Sequence, residues 1–270
     1  MPTAPLPGPA APFVPGRVNW LGLWTLLRME TQHFTRAPIA SFAAPALTAW
    51  LFYAVFALAA PAGLAPVPGV AFFAFIAPGL VVMTVAQNAF ETTAWSIIDL
   101  KVRGSIVDLL MPPLRPAELL AAFALSGMAR GLALGLIVLA PMLLHIGALP
   151  PAPLQALLYA AAAALLLALA GIVCGIVAVK YDHVASFENF VVVPLAFLSG
   201  AFYPLAALGE PWRTLSLANP LHHAVDGARA GILGVAQGSP LLGVLALGAA
   251  TIGFGVASWR LLAASPKLRP

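Results

Sequence analysis

The chain has 270 residues, 61% of them apolar and 8% charged, with a net charge of +4. A soluble domain carries about a quarter of charged residues, so this composition excludes a fold that meets water on every side. Lipid leaves helix bundles and closed barrels, and the long unbroken apolar runs select an all-α membrane protein over a barrel of alternating segments.

Residues 1–16 are rich in Pro and Ala and carry no charge before Arg17. They lack the basic start and apolar core of a signal peptide and are expected to be a disordered tail. Residues 17–36 read as an amphipathic helix, with Trp20, Leu23, Trp24, Leu27 and Phe34 on one face and Arg28, Gln32 and Arg36 on another. Tryptophan on the apolar face and arginine on the polar one suit a helix lying in the membrane interface; the alternative is the frayed start of the first span. Residues 37–262 form the membrane domain, with six spans expected near 38–60, 69–90, 119–145, 154–179, 187–204 and 239–262. A short tail, 263–270, follows.

Charge sets the orientation. With the N-terminus inside, the inner side holds Arg17, Arg28, Arg36, Lys101, Arg103, Arg115, Lys180, Arg260, Lys267 and Arg269, with Arg130 nearby. The outer side holds Arg213 and Arg229. This asymmetry predicts both termini in the cytoplasm. A basic balance that would point to nucleic acid in a soluble protein therefore has another use here, and no nucleic-acid partner is expected.

Two connections stand out. The inner loop 91–118 carries seven charged residues from Glu91 to Glu118. The outer connection 205–238 is longer and largely apolar, which reads as re-entrant helices. Within the spans, Gln87, Asn88 and Glu91 cluster near the inner end of span two, and Arg130 lies in span three. Polar groups there usually have a partner or a function. A Glu91–Arg130 tie between the antiparallel spans is one reading; an arginine snorkelling alone to the interface is the other. Gly127, Gly131 and Gly135, and likewise Gly171 and Gly175, recur at four-residue spacing and permit close helix approach.

Catalytic chemistry finds little support. No phosphate-binding GxxxxGK[ST] loop is present, so ATP cannot be held by that route. His222, His223 and Asp226 lack a further ligand at metal-site spacing, and Cys174 sits alone in an apolar run. No converging acid, base and nucleophile set is found. No catalytic, cofactor-binding or metal residue is therefore assigned.

The most specific segment is FLSGAFYP at 197–204, followed by NPLHHAVDGARAGILG at 219–234. The order FLSG-x-FYP, then Asn-Pro, then Arg and Gly resembles the C-terminal signature of ABC-2 type transport permeases. The inner-loop sequence LKVRGSIVDLLMPPLRPAELL and the AQNAF at 86–90 agree. The resemblance spans about residues 18–262. It is strongest to permeases of the YadH inner-membrane type and more distant to nodulation-factor and polysaccharide export permeases.

The resemblance implies a bacterial inner-membrane subunit with six spans, an interfacial elbow helix at 17–36 and outer re-entrant helices. It implies a coupling loop marked by Asp99, Lys101, Arg103, Gly104, Asp108, Pro112 and Pro113. It also implies an outer gate marked by Phe197, Ser199, Gly200, Phe202, Tyr203, Pro204, Asn219, Pro220, Arg229 and Gly234. The partners implied are a cytoplasmic ABC ATPase, which would hold ATP and Mg, and a second permease copy, two of each. An apolar or amphipathic cargo is the default expectation. A lipid-linked saccharide is the alternative, through stacking on residues such as Phe197, Phe202 and Tyr203, and a membrane-embedded lipid-modifying enzyme comes last.

Overall fold

The computed structural model describes residues 19–61, 65–106 and 114–264. The expected tail 1–16, most of the tail 263–270, and Asp108, Pro112 and Pro113 lie outside the described residues. Helices α1 (Trp20–Thr35) and α2 (Ala44–Ala59) open the fold, followed by α3 (Phe72–Val102), α4 (Pro116–Ile146) and α5 (Pro153–Val177). Short pieces come next: α6 (Tyr181–Phe187), α7 (Val193–Phe197), α8 (Trp212–Ala218) and α9 (Pro220–Leu233). Helix α10 (Pro240–Ala264) closes the described chain.

Among the described residues, five helices are long and apolar enough to cross a membrane: Ile39–Ala59, α3, α4, α5 and α10. The expected fifth span, 187–204, is instead a run of seven, five and five residues through α6, a π-helical segment Glu188–Val192 and α7. Another π segment, Ile39–Ala43, leads into α2. Both π segments sit just ahead of a proline, Pro45 and Pro194. A proline ring crowds the carbonyl four residues earlier and supplies no N–H; a wider turn relieves that crowding.

The break expected near residue 91 falls later. No Gly or Pro interrupts the stretch from Leu80 to Arg103, and α3 runs helically to Val102 before Gly104 takes φ +76°. At 31 residues the helix is about 46 Å long, against an apolar bilayer thickness of about 30 Å. Its last turns therefore reach beyond the hydrocarbon.

Packing ranks the helices. In their most apolar windows α3 and α5 are each 72% buried, whereas Ile39–Ala59 and α10 are each 17% buried, so the first pair is the axis and the second faces outward. The glycine stripes make the axis possible. A Cβ on Gly131 would lie 2.6 Å from the Val85 carbonyl oxygen, and one on Gly171 would lie 2.2 Å from Thr93 Oγ1. Both stripes therefore press on α3 of the same chain. Across this contact Thr93 Oγ1 donates to the Ala168 carbonyl at 2.8 Å, and Ser258 on α10 donates to that of Leu169 at 3.1 Å.

Glu118 fastens α1 to the bundle. Its carboxylate accepts the backbone N–H of Asn19 at one oxygen and of Arg115 at the other, each at 2.8 Å. It thereby joins the starts of α1 and α4, where unpaired N–H groups are exposed. The face of α1 that packs inward carries Leu26, Glu30 and Phe34, while Trp20 and Trp24 are 72% and 63% exposed. The tryptophans of the expected stripe thus point away from the bundle, a position suited to the interface.

Candidate functional site: two polar junctions at opposite ends of the bundle

At the end formed by residues 197–240, α7 stops at Phe197 and Gly200 adopts φ +75°, a conformation that favours glycine. Its carbonyl accepts a 2.7 Å hydrogen bond from Arg229 Nη2. Arg229, on α9, is 1% exposed. Its Nε also donates to the Phe75 carbonyl at 3.4 Å, and its guanidinium lies 4.0 Å over the Phe75 ring. One helical turn away, Asp226 Oδ1 is 3.7 Å from Arg229 Nη1. The same carboxylate accepts the N–H groups of Gln237 and Gly238, each at 2.8 Å. Gln237 in turn accepts from the Leu205 N–H at 2.9 Å. A single buried cation thus binds α9 to α3 and to the turn after α7, and its carboxylate partner holds the 234–239 loop.

Further ties complete this junction. Asn219 caps α9 by accepting from the Leu221 N–H at 3.0 Å, while its amide donates to the Leu195 carbonyl at 2.6 Å. Pro220 is the first residue of α9, and Gly234 ends it with φ +73°. His222 Nδ1 lies 3.0 Å from the Ser199 carbonyl; a carbonyl only accepts, so this nitrogen carries the proton. Ser199 Oγ donates to the Ala196 carbonyl at 2.6 Å, and Tyr203 OH donates to that of Phe197 at 3.1 Å. Phe197 and Phe202 stack at 5.4 Å, and Phe202 also meets Phe56 at 4.9 Å. Pro204 leads into a 3₁₀ turn, Leu205–Ala207. The structure thus gathers the signature residues around one buried network. Phe75, Gln237 and the carboxylate of Asp226 were not foreseen as parts of it. The i,i+3 spacing of Asp226 and Arg229 carried a signal; Phe75 and Gln237 carried none.

The opposite end, where α3, α5 and α6 meet, is rich in basic residues. Lys101 does not face outward as a free charge. Its ammonium donates to the carbonyls of Gly175 at 3.3 Å, Ile176 at 2.7 Å and Ala178. These close the C-terminus of α5, where unpaired carbonyls and the helix dipole favour a cation. Asp99 Oδ1 accepts from Arg103 Nε and from Tyr181 OH, each at 2.8 Å. The carboxylate raises the pKa of the Arg103 guanidinium and of the Tyr181 phenol, in each case first through its hydrogen bond. Gly104 follows directly. The last turn of α3 therefore grips the corner between α5 and α6.

Deeper at this end lies a polar cleft of about 410 Å³ between α1, α3, α4 and α6. Glu91 and Arg130 both line it, yet they form no direct ion pair. Arg130 donates instead to Thr92 Oγ1 at 3.2 Å and the Ser41 carbonyl at 3.5 Å. Nearby, Trp95 Nε1 donates to the Glu188 carboxylate at 3.3 Å. Gln87 is half-buried, and Asn88 is buried with its amide donating to the Thr84 carbonyl at 3.2 Å. Among the described residues no group of three or more His, Cys, Asp or Glu side chains is placed to hold a metal ion.

Among the described residues, five long apolar helices packed on the α3–α5 pair, with polar ties to backbone carbonyls at each end, make a multi-pass membrane protein. The ABC-2 type transporter model matches residues 22–233, from α1 to the end of α9. The inner membrane transport permease YadH of Escherichia coli K12 is 30% identical over 80% of this chain and 84% of its own. Nodulation protein J of Rhizobium leguminosarum bv. trifolii is 29% identical over 81% of this chain and 83% of its own. The chain belongs to the ABC-2 type transporter family, and it is a multi-pass protein of the bacterial inner membrane.

Proposed function

We propose that this chain is the membrane subunit of an ATP-driven ABC-2 exporter, moving an apolar or amphipathic cargo out of the cytoplasm or the inner leaflet. The observation that carries the reading is the linkage of the two junctions. The last turn of α3 grips the α5–α6 corner through Lys101 and Asp99. The helical run from Tyr181 to Phe197 leads from that corner to the Gly200–Arg229 network. A push on the connection after α3 has a continuous mechanical route to the far end. Such subunits shift as rigid bodies rather than deform gradually.

In this reading both termini and the α3–α4 connection face the cytoplasm, as the charge asymmetry supports. The connection docks on a separate ABC ATPase that holds ATP and Mg. The π-broken run of α6 and α7 serves as a sixth crossing. Helices α8 and α9 re-enter from the outer side and gate the exit. Two permeases pair with two ATPases.

The test is reconstitution. The chain should purify with an ATPase subunit encoded beside it, and ATP turnover should appear only in the complex. Catalytic turnover of a lipid by the isolated chain would overturn the reading in favour of a membrane-embedded enzyme.

A further inference from the structure

The polar cleft between α1, α3, α4 and α6 borders the basic-end junction through Asp99, Arg103 and Tyr181, but its inner part, around Glu91 and Arg130, belongs to neither junction. Its walls bring opposite charges together without pairing them. On one side is Arg130. Its two hydrogen bonds, at 3.2 and 3.5 Å, are long for a guanidinium, whose charge-assisted bonds run to about 2.7–2.9 Å. Its Nε is buried with no partner. The guanidinium is thus incompletely satisfied by the protein, and an anion in the cleft would add the missing partner.

On the other side two acids stand together. Glu91 on α3 lines the cleft, and one helical turn further on Trp95 Nε1 donates to Glu188 of the π segment at 3.3 Å. Adjacent carboxyl groups repel when both are ionised, and an amine placed beside them would relieve that repulsion. The stacked rings of Trp95 and Tyr181, 6.0 Å apart, offer the aromatic face that a cation also prefers. An apolar hollow of about 620 Å³, lined by Pro38, Ile39, Ala40, Ala43 and Leu47, shares the Ile39–Ala43 turn with this cleft. Ser41 of that turn lines the polar side. Charged ends beside an apolar hollow match an amphiphile.

We propose that the cleft binds a zwitterionic amphiphile headgroup, its phosphate on Arg130 and its amine among Glu91, Glu188 and Trp95, with the tail in the hollow along Ile39–Ala43. The site deepens the permease reading by naming a cargo chemistry, but binding requires only this chain. A bilayer phospholipid and an exported lipid-like cargo share that headgroup.

The experiment uses the purified full chain in maltoside micelles and a tail-labelled lysophosphatidylethanolamine. Binding should be saturable. Lysophosphatidylglycerol, which lacks the amine, and dodecylamine, which lacks the phosphate, should each compete about tenfold or more less well. R130Q and E91Q should each weaken binding by a similar factor while keeping the wild-type melting curve. Should either variant fail to fold, Trp95→Ala and Thr92→Val provide a milder test, each with a weakened affinity expected. Equal binding of all three amphiphiles overturns the proposal, as does undiminished binding by every folded variant. In the reconstituted complex, ATP turnover raised by the zwitterion marks it as exported cargo. Unchanged turnover with intact binding marks a resident lipid, and either result supports the site. Failure to recover an ATPase would break the permease reading and leave the binding measurement standing.

Discussion

The two junctions use the same device in different surroundings. At the far end Arg229 donates to the carbonyls of Gly200 and Phe75 and is 1% exposed. At the basic end Lys101 donates to three carbonyls at the close of α5 but is only half-buried. Beside it the Arg103 and Asp99 side chains are 70% and 34% exposed. The chemistry of a cation on carbonyls is common to both. The dielectric differs, and with it the strength of each contact. A dry network resists change until it yields as a unit, whereas a wet one can exchange partners at small cost. That contrast suits a latch at one end and a docking surface at the other.

The largest effect is expected at the dry end. Arg229→Met leaves the Gly200 carbonyl and the Asp226 carboxylate without their guanidinium, and should destabilise the protein by about 3–5 kcal/mol. Thermal melting in detergent checks it, with Arg229→Lys recovering part of the loss because a point charge cannot reproduce the fork. Wild-type melting of R229M would show that the buried network does not hold this end. Lys101→Met should come next, at about 1.5–3 kcal/mol for hydrogen bonds to a charged group, with Lys101→Arg restoring most of it. A larger loss for K101M than for R229M would reverse the contrast between the ends.

The axis between the junctions provides a comparison on apolar terms. Gly171→Ala puts a methyl 2.2 Å from Thr93 Oγ1 and 2.5 Å from the Phe90 carbonyl oxygen, so α3 and α5 must part. The expected loss is about 1–3 kcal/mol. Gly248→Ala on α10 meets nothing within 4 Å and should change stability by under about 0.5 kcal/mol. Equal melting of the two variants would remove α3–α5 packing as the reason for the glycine stripes.

How legible all this was depends on the range of the interaction. Hydropathy showed the five long apolar helices, because each is a local property of some twenty residues. It misjudged the end of α3, since Glu91, Asp99 and Lys101 look like loop residues until their helix is seen to outrun the bilayer. Residues 187–204 coincide only in part with a helix: the helical run Tyr181–Phe197 starts earlier and ends before the turn at Gly200, and hydropathy alone does not place those ends. At the far junction Gly200, Asn219 and Pro220 carry backbone and capping roles that leave a local pattern, whereas Arg229 was marked only by the family resemblance. Phe75 contributes a carbonyl and a ring face from 154 residues away in the chain, and no periodicity encodes that. Lys101 was read as a surface charge. Its inward turn depends on α5 ending beside it, which only the packed bundle shows.

The smallest stability effect sharpens the contrast most. Arg103 reaches Asp99 one turn back on the helix, and such exposed pairs contribute little because water and salt screen them. Arg103→Ala should therefore leave melting unchanged within error at both low and high salt. If the basic end is where an ATPase docks, the same variant should still lower recovery of that ATPase on co-purification, most at low ionic strength, where unscreened charges steer association. A fall in stability without a fall in recovery would place Arg103 with Arg229, as a strut of the bundle. A fall in recovery alone would give the two ends different roles, with one arginine holding the fold from inside and the other available to a partner.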